Sequence, residues 1–352
     1  MKRFFVFLGV VLTTIGSAVR AQEVESTAPL QMSSWGDAKT AEVTDYIPDV
    51  SLDMRFGYGQ NFAEGAGRFG GDGLYLDING YISPHISYSL NQRIASTYYE
   101  DNSGFDGTNW LTLTYETESF AFTAGKDAIL VGSFEYDAYD LDSYYSMNST
   151  FYNMFDCWQW GVSAAWYATD TQELSFQIAN SPLSYGDSNL FAYALAWRGE
   201  WDFYESYWTA NLWQWGPKGY TKALNFGNRF YLGDFTIDLE YMTRADEVSD
   251  LFGRDFTFLA APSYENEWLR AFAKFGWEGI TGMLGGGPSS YENIFYGAGV
   301  EFFPLKENRG IRLHAAWSHN EEYIGGDFLS IGLTWKFDLT GAVKHILDKR
   351  NN

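Results

Sequence analysis

Apolar and polar side chains take turns along most of this chain, with a period of two. Val50, Leu52, Met54, Phe56 and Tyr58 share one side of an extended segment, and Asp53 and Arg55 the other. Such a dyad, kept over about ten residues, marks a strand with lipid on one face and water on the other. The alternation returns in Leu74, Leu76 and Ile78 against Tyr75, Asp77 and Asn79. After a turn at Ser83-Pro84, where proline is tolerated at a strand end, Ile86, Tyr88 and Leu90 alternate with Ser87, Ser89, Asn91 and Arg93. The Gly-rich residues 59–72 between the first two strands read as a loop.

Strands near 109–117 and 119–128, 157–168 and 172–180, 190–198 and 204–215, and 220–232 and 234–243 then form hairpins, with short and long connections alternating. Asn228 and Arg229 leave the parity of one of them open. A long loop is expected at 244–264, followed by a strand near 265–277. The last strand, Phe328–Phe337, sets Leu329, Ile331, Leu333, Trp335 and Phe337 against Ser330, Gly332, Thr334 and Lys336. About fifteen strands are plain, and bacterial barrels carry even numbers with short turns on one side. One more is therefore placed at Ile280–Leu284, behind a tight turn at Glu278–Gly279. The expected fold is all-β, a transmembrane antiparallel β-barrel of roughly sixteen strands over residues 50–337. Sixteen strands leave an aqueous channel, and fourteen and eighteen stay open as counts.

Lys2 and Arg3 ahead of the apolar run FFVFLGVVLTTIG (4–16), with small residues at Ala18 and Ala21, read as an export signal over residues 1–21. The run is too short to cross a bilayer as a helix. Residues 22–49 read as a flexible periplasmic lead-in. Residues 338–352 read as a periplasmic tail, in which AVKHILDKR suits a short amphipathic helix. Aromatic residues make up 19% of the chain, including 14 Trp and 25 Tyr, and a barrel in lipid uses such rings as girdles at both interfaces. The single Cys157 excludes an internal disulfide framework, and no cofactor or resident metal is implied. A formal charge of −22 argues against nucleic-acid partners. Outer-membrane lipid and lipopolysaccharide are the expected surroundings.

One connection breaks the hairpin rule. Between FAFTAGKDAIL (120–130) and CWQWGVSAAW (157–166), residues 128–156 carry Glu135, Asp137, Asp140 and Asp142, interleaved with Tyr136, Tyr139, Tyr144 and Tyr145. Connections this long inside a domain are usually functional. Folded into the lumen, this one forms a constriction lined by Glu135, Tyr136, Asp137, Tyr139, Asp140 and Asp142. If apolar positions face lipid, then Arg55, Arg93, Arg198, Arg229, Arg270, Lys274, Arg312 and Lys336 face inward. Acidic loop and basic wall would then set a transverse field across the water path.

Other readings stand beside this one. The cations solvate the wall or pair with the inward Asp53, Asp77, Asp238, Glu240 and Glu301. The loop stays outside as a solvated cap. Its tyrosines line a saccharide track or pack the loop against the wall. Asp137, Asp140 and Asp142 hold Ca²⁺, although a full ligand set is absent. A barrel enzyme of lipase or protease type is a different class, for which His314 and Ser330, of like parity on neighbouring strands, are the one pairing; His85 and His319 show no partner. A non-conducting surface adhesin is a third class.

GDGLYLDINGYISPHISYSLNQRIA (71–95), FTAGKDAILVGSFEYDAYDLDSYY (122–145), CWQWGVSAAW (157–166) and ALNFGNRFYLGDFTIDLEYMTRA (223–245) resemble the Bacteroidetes branch of the phosphate-selective porin O/P family, over most of residues 50–337. The resemblance implies a sixteen-stranded outer-membrane porin, a homotrimer, with its third outer loop, here 128–156, inside the lumen. Such a protein passes small hydrophilic solutes or ions by passive diffusion. The family name further implies a preference for anions.

Overall fold

Sixteen antiparallel strands close on themselves, each paired with its neighbours in sequence and the first with the last. The first eight are β1 (Asp49–Asn61), β2 (Ala66–Ser83), β3 (Ile86–Arg93), β4 (Thr108–Glu116), β5 (Phe120–Ala128), β6 (Trp158–Thr169), β7 (Gln172–Asn180) and β8 (Phe191–Trp201). The second eight are β9 (Tyr204–Gly216), β10 (Gly219–Leu232), β11 (Phe235–Ala245), β12 (Asp255–Glu265), β13 (Leu269–Ile280), β14 (Tyr291–Phe302), β15 (Ile311–Asn320) and β16 (Gly326–Asp338). The seam between β1 and β16 runs from Ser51 opposite Asp338 to Asn61 opposite Phe328. This computed structural model describes residues 47–94, 107–138, 140–184, 189–281, 291–305 and 308–342. The expected signal peptide, nearly all of the lead-in, Tyr139 and most of the C-terminal tail lie outside them.

Inside and outside are exchanged relative to a water-soluble protein. Leu113, Val162 and Leu195 are each about half exposed on the outer surface, whereas Asn91, Asn225, Glu278 and Thr334 are fully buried within. An exposed apolar band of this extent on a closed barrel is what lipid covers, since closure leaves no strand edge unpaired. Among the described residues no helix is long and apolar enough to cross a membrane; the strands do the crossing.

The strand count is as expected, but the sixteenth strand is elsewhere. The segment 244–264, read as loop, contains β12, and Ile280 is the last residue of β13 rather than the start of a new strand. Glu278 and Gly279, expected in a tight turn, sit in the ladder opposite Thr257 and Phe256. The tight turn is at 266–268. Pro262 is what hid β12, because a proline inside a run argues against a strand. The ladder accommodates it by leaving Ala261 and Pro262 unpaired toward β13, so the missing N–H costs no bond there. Residues 59–72 are not a loop either. β1 and β2 extend through most of them and meet at a four-residue turn, 62–65, where Gly65 takes a positive φ of 65°. The parity of β10 resolves with Arg229 inward, bonded to Asp238, and Asn228 outward, accepting from the Trp208 indole at 3.2 Å and the Tyr204 hydroxyl at 2.7 Å.

Candidate functional site: the loop inside the barrel

Residues 129–157, the third connection on their rim, turn into the bore and pack on its inner wall. The entry is a close backbone approach. Gly132 lies against β9 and β10, its N–H donating to Thr209 Oγ1 at 2.9 Å. A Cβ on Gly132 would meet Thr209 N and Tyr207 O at 2.7 Å, and one on Gly227 would meet the Gly132 carbonyl oxygen at 3.0 Å. Two glycines thus allow main chain to lie on main chain. Asn211 Nδ2 donates to Leu130 O at 2.8 Å, and Leu130 N–H donates to Gln177 Oε1 at 2.9 Å.

Two short helices follow, Phe134–Asp137 and Thr150–Met154, capped by Ser133 and Ser149. Each presents its first amides to a carboxylate on the wall. Glu135 N–H donates to Glu240 Oε1 at 3.2 Å, and Thr150 N–H to Glu278 Oε2 at 2.9 Å. Unpaired amides at a helix start favour negative charge, so these inward glutamates hold the loop by its helix ends. The loop also carries its own core. Phe151, fully buried, stacks on Phe155 at 4.9 Å and on Trp213 of β9 at 5.9 Å, with Tyr136 at 5.7 Å.

The anticipated charges are present, and they meet in contact instead of across water. Lys274 Nζ lies 3.1 Å from Glu135 Oε1, Arg198 Nη2 2.6 Å from Asp137 Oδ2, and Lys336 Nζ 3.1 Å from Asp142 Oδ2. Arg312 also bonds Asp142 and reaches Glu301 at 3.2 Å. Burial by itself would raise the Asp142 carboxyl; Arg312 and then Lys336 outweigh it and hold the group well below the usual carboxylate range. Arg55 donates to the carbonyls of Ser143, at 2.7 Å, and Leu141. Arg229 makes two bonds to Asp238, at 2.7 and 2.9 Å, and its guanidinium covers the Phe134 ring at 4.1 Å. Arg270 pairs with Glu301 at 3.3 Å, and Arg93 donates to the Tyr75 hydroxyl at 2.8 Å.

Each basic position read as inward therefore is inward, and most of them anchor the loop. Asp137 and Asp142 go to opposite sides of the bore, β8 against β15 and β16, so they do not converge as cation ligands would. Asp140 opens a short turn, Asp140–Asp142. Tyr136 and Tyr144 are buried and pack the loop. The Tyr144 hydroxyl donates to Glu301 at 2.9 Å and its ring stacks on Phe272, so neither ring forms a track for a sugar.

Arg244 was missed. It is buried on β11, bonds Asp255 at 2.5 Å and lies over the Phe151 ring at 4.2 Å. Its parity, shared with Asp238, Glu240 and Met242, was the available signal. Of the histidines, His314 Nε2 does stand 3.0 Å from Ser330 Oγ, but its Nδ1 is buried with no hydrogen-bond partner and Tyr144 covers the ring. Among the described residues no acid bonds this ring as the acid that orients imidazole in a nucleophilic triad does. His85 and His319 have partners after all, Glu116 O at 3.0 Å and Asp327 Oδ1 at 3.1 Å.

A closed sixteen-stranded barrel with a rim loop turned into its bore has the fold of the outer-membrane porins. OmpT, an outer membrane protein of Vibrio cholerae, in a form lacking loop L8, superposes with a TM-score of 0.58 at 13% identity, covering 83% of this chain and all of that one. A porin of Rh. blastica, in a mutant form, superposes at 0.55 and 11% identity, with 83% and 100% covered. A trimer form of the Vibrio OmpT gives 0.56 at 11%, covering 83% of this chain and 99% of that one. At these identities the likeness is one of fold. No family model and no curated protein matches the sequence.

Proposed function

We propose that this protein is a porin of the bacterial outer membrane, passing small hydrophilic solutes or ions by passive diffusion through a water-filled barrel narrowed by residues 129–157. The observation that carries this reading is the inverted barrel itself, apolar outside and polar within, with a long loop tied to the inner wall by ion pairs. Sixteen strands enclose more room than their own side chains fill. The loop is held in place by contacts from β7 to β11, β13 to β16 and β1, as a fixed constriction requires. We further take the assembly to be a homotrimer, as in the trimer form of the Vibrio protein, seated in lipid and lipopolysaccharide.

The likeness to phosphate-selective porins makes an anion-preferring pore the second reading, favoured by the inward row of Arg55, Arg198, Arg229, Arg270, Lys274 and Arg312. Those cations already contact carboxylates or loop carbonyls, which weakens it. The test is reconstitution of the purified protein in a planar bilayer. Discrete conductance steps, with a reversal potential of cation sign under a KCl gradient, are expected. A folded barrel that yields no steps would refute the porin reading, and a reversal potential of anion sign would restore the second.

A further inference from the structure

We propose that solutes cross on one side of the loop only, along the inner wall of β3–β6 and the first residues of β7, and that Asp127 and Glu173 on that wall set the sign of the ions admitted. The inference rests on the porin reading and deepens it.

The loop does not sit centrally in the bore. Its bonds and packing reach β7 through Gln177, β8 through Arg198, and then strand by strand β9 to β11, β13 to β16 and β1. Many inward side chains on that arc are sealed: Asn225, Thr257, Glu278, Phe295, Glu301 and Thr334 have essentially no accessible surface, while Arg270 and Lys274 keep part of theirs. Asp137 lies on Arg198 of β8 and Leu141 beside Tyr75 of β2, so the loop is held on both of these sides of the bore.

The other arc keeps water contact at many inward positions, although Asn91, Ala121, Thr123 and Ala165 on it are buried. Ser89, Thr112, Thr114, Asp127, Ser163 and Glu173 point inward by ladder parity and are all half-buried. Small and hydroxylic residues line its middle, with Thr114 Oγ1 2.8 Å from Thr123 Oγ1. Acids stand at its two ends, Asp127 toward the long-loop rim, and Glu173 with Glu116 toward the short-turn rim. These three accept from neutral donors: Asp127 from Ala128 N–H at 2.8 Å, Glu116 from the Tyr167 hydroxyl at 2.8 Å, and Glu173 from the Ser175 hydroxyl. Arg198, which faces Glu173, is already bonded to Asp137, with Glu205 at 3.6 Å. Glu135, Asp137 and Asp142 of the loop are neutralised by contact, whereas Asp127, Glu116 and Glu173 meet no cation at ion-pair distance among the described residues; with Arg93 the basic residue of this arc, the charge that water meets along the path is on balance negative. Negatively lined pores favour cations.

The test uses the full chain in a Cys157→Ala background, with the heat-modifiable gel shift as the check of folding. Ser163→Cys is expected to lose conductance when treated with a water-soluble sulfonated thiosulfonate, and Ala223→Cys, under the loop and 1% exposed, to keep it. In a separate variant, Asp127→Asn with Glu173→Gln is expected to lower the cation-to-anion permeability ratio about threefold. Equal effects at Ser163→Cys and Ala223→Cys, or an unchanged ratio in the double variant, overturn the inference while leaving the porin reading intact. Absence of steps from the parent protein would remove both.

Discussion

Lys274 Nζ is bonded to two separate points of the inserted loop, Glu135 Oε1 at 3.1 Å and Asn148 Oδ1 at 2.7 Å. The same Glu135 carboxylate, with no exposed side-chain surface, accepts from Ser149 N–H at 2.9 Å and Ser149 Oγ at 2.5 Å. One lysine on β13 thereby ties the two short helices together. Replacing it with Met leaves a buried carboxylate without its cation, a change that typically costs ~3–5 kcal/mol. The loss should fall on the loop, because the strand ladders are untouched. Limited proteolysis is expected to cut Lys274→Met within residues 138–156 much faster than the parent, with the barrel's heat-modifiable gel shift retained. Equal cutting rates would show that the pair is not an anchor.

Gly132 and Gly227 make a second, purely steric prediction. Gly132→Val puts side-chain atoms against backbone of β9 at 2.7 Å and of β10 at 3.0 Å, where no flexible group can yield. The loop entry must lift, and single-channel conductance should change by more than it does in Gly70→Ala, a substitution at an exposed position of β2 where a Cβ meets nothing within 4 Å. Conductance indistinguishable from the parent would contradict the close approach.

The pH response follows from Asp142. Its carboxyl is depressed by Arg312 and Lys336 despite burial, so its stabilising charge is fully present above the unfolded value of about 3.9. That contribution is lost only as pH falls through the lower folded value. Between pH 7 and about 4 this anchor should not release, whereas Arg312→Gln should move its release upward toward ordinary carboxylate pH. Asp156, near the end of the loop, is raised by burial and takes up its proton earlier on the same descent. Conductance recorded against pH in parent and variant reads both effects; an identical profile in Arg312→Gln would rule out this anchor.

Phe151 is the centre of the loop's own packing, fully buried among Phe155, Tyr136, Trp213 and the Arg244 guanidinium. Phe151→Ala removes a core ring, a change of about 3–5 kcal/mol in well-packed sites. Hydrogen exchange at the amides of residues 150–155 should accelerate, and exchange along β10 should not. Acceleration of both alike would mean that loop and wall unfold as one unit.

Much of this architecture is legible in the residue order, and the failures are instructive. Alternation alone places Arg55, Arg198, Arg312 and Lys336 on the inner face, because a strand whose two sides meet different solvents must repeat every second residue. It failed at β12, where Pro262 interrupts a run that neighbouring strands nonetheless complete through Phe256, Phe258 and Tyr264. It also failed at 59–72, where glycines that resemble a loop lie in paired strands. Ladder bonds from both neighbours override a weak local preference.

The candidate site was readable as composition and not as pairing. Acidic loop and basic wall were both plain, but Asp137 and Arg198 are 61 positions apart, and Asp142 and Lys336 are 194 apart. By itself, then, the sequence determined which way side chains point in the strands that alternate plainly, since that depends only on place in a two-residue repeat. Which charges touch, and which arc of the wall stays open to water, were decided by the path of residues 129–157 across the bore. That path is set by where a glycine lets two main chains meet and where a buried cation awaits a carboxylate, distances that exist only once the cylinder has closed.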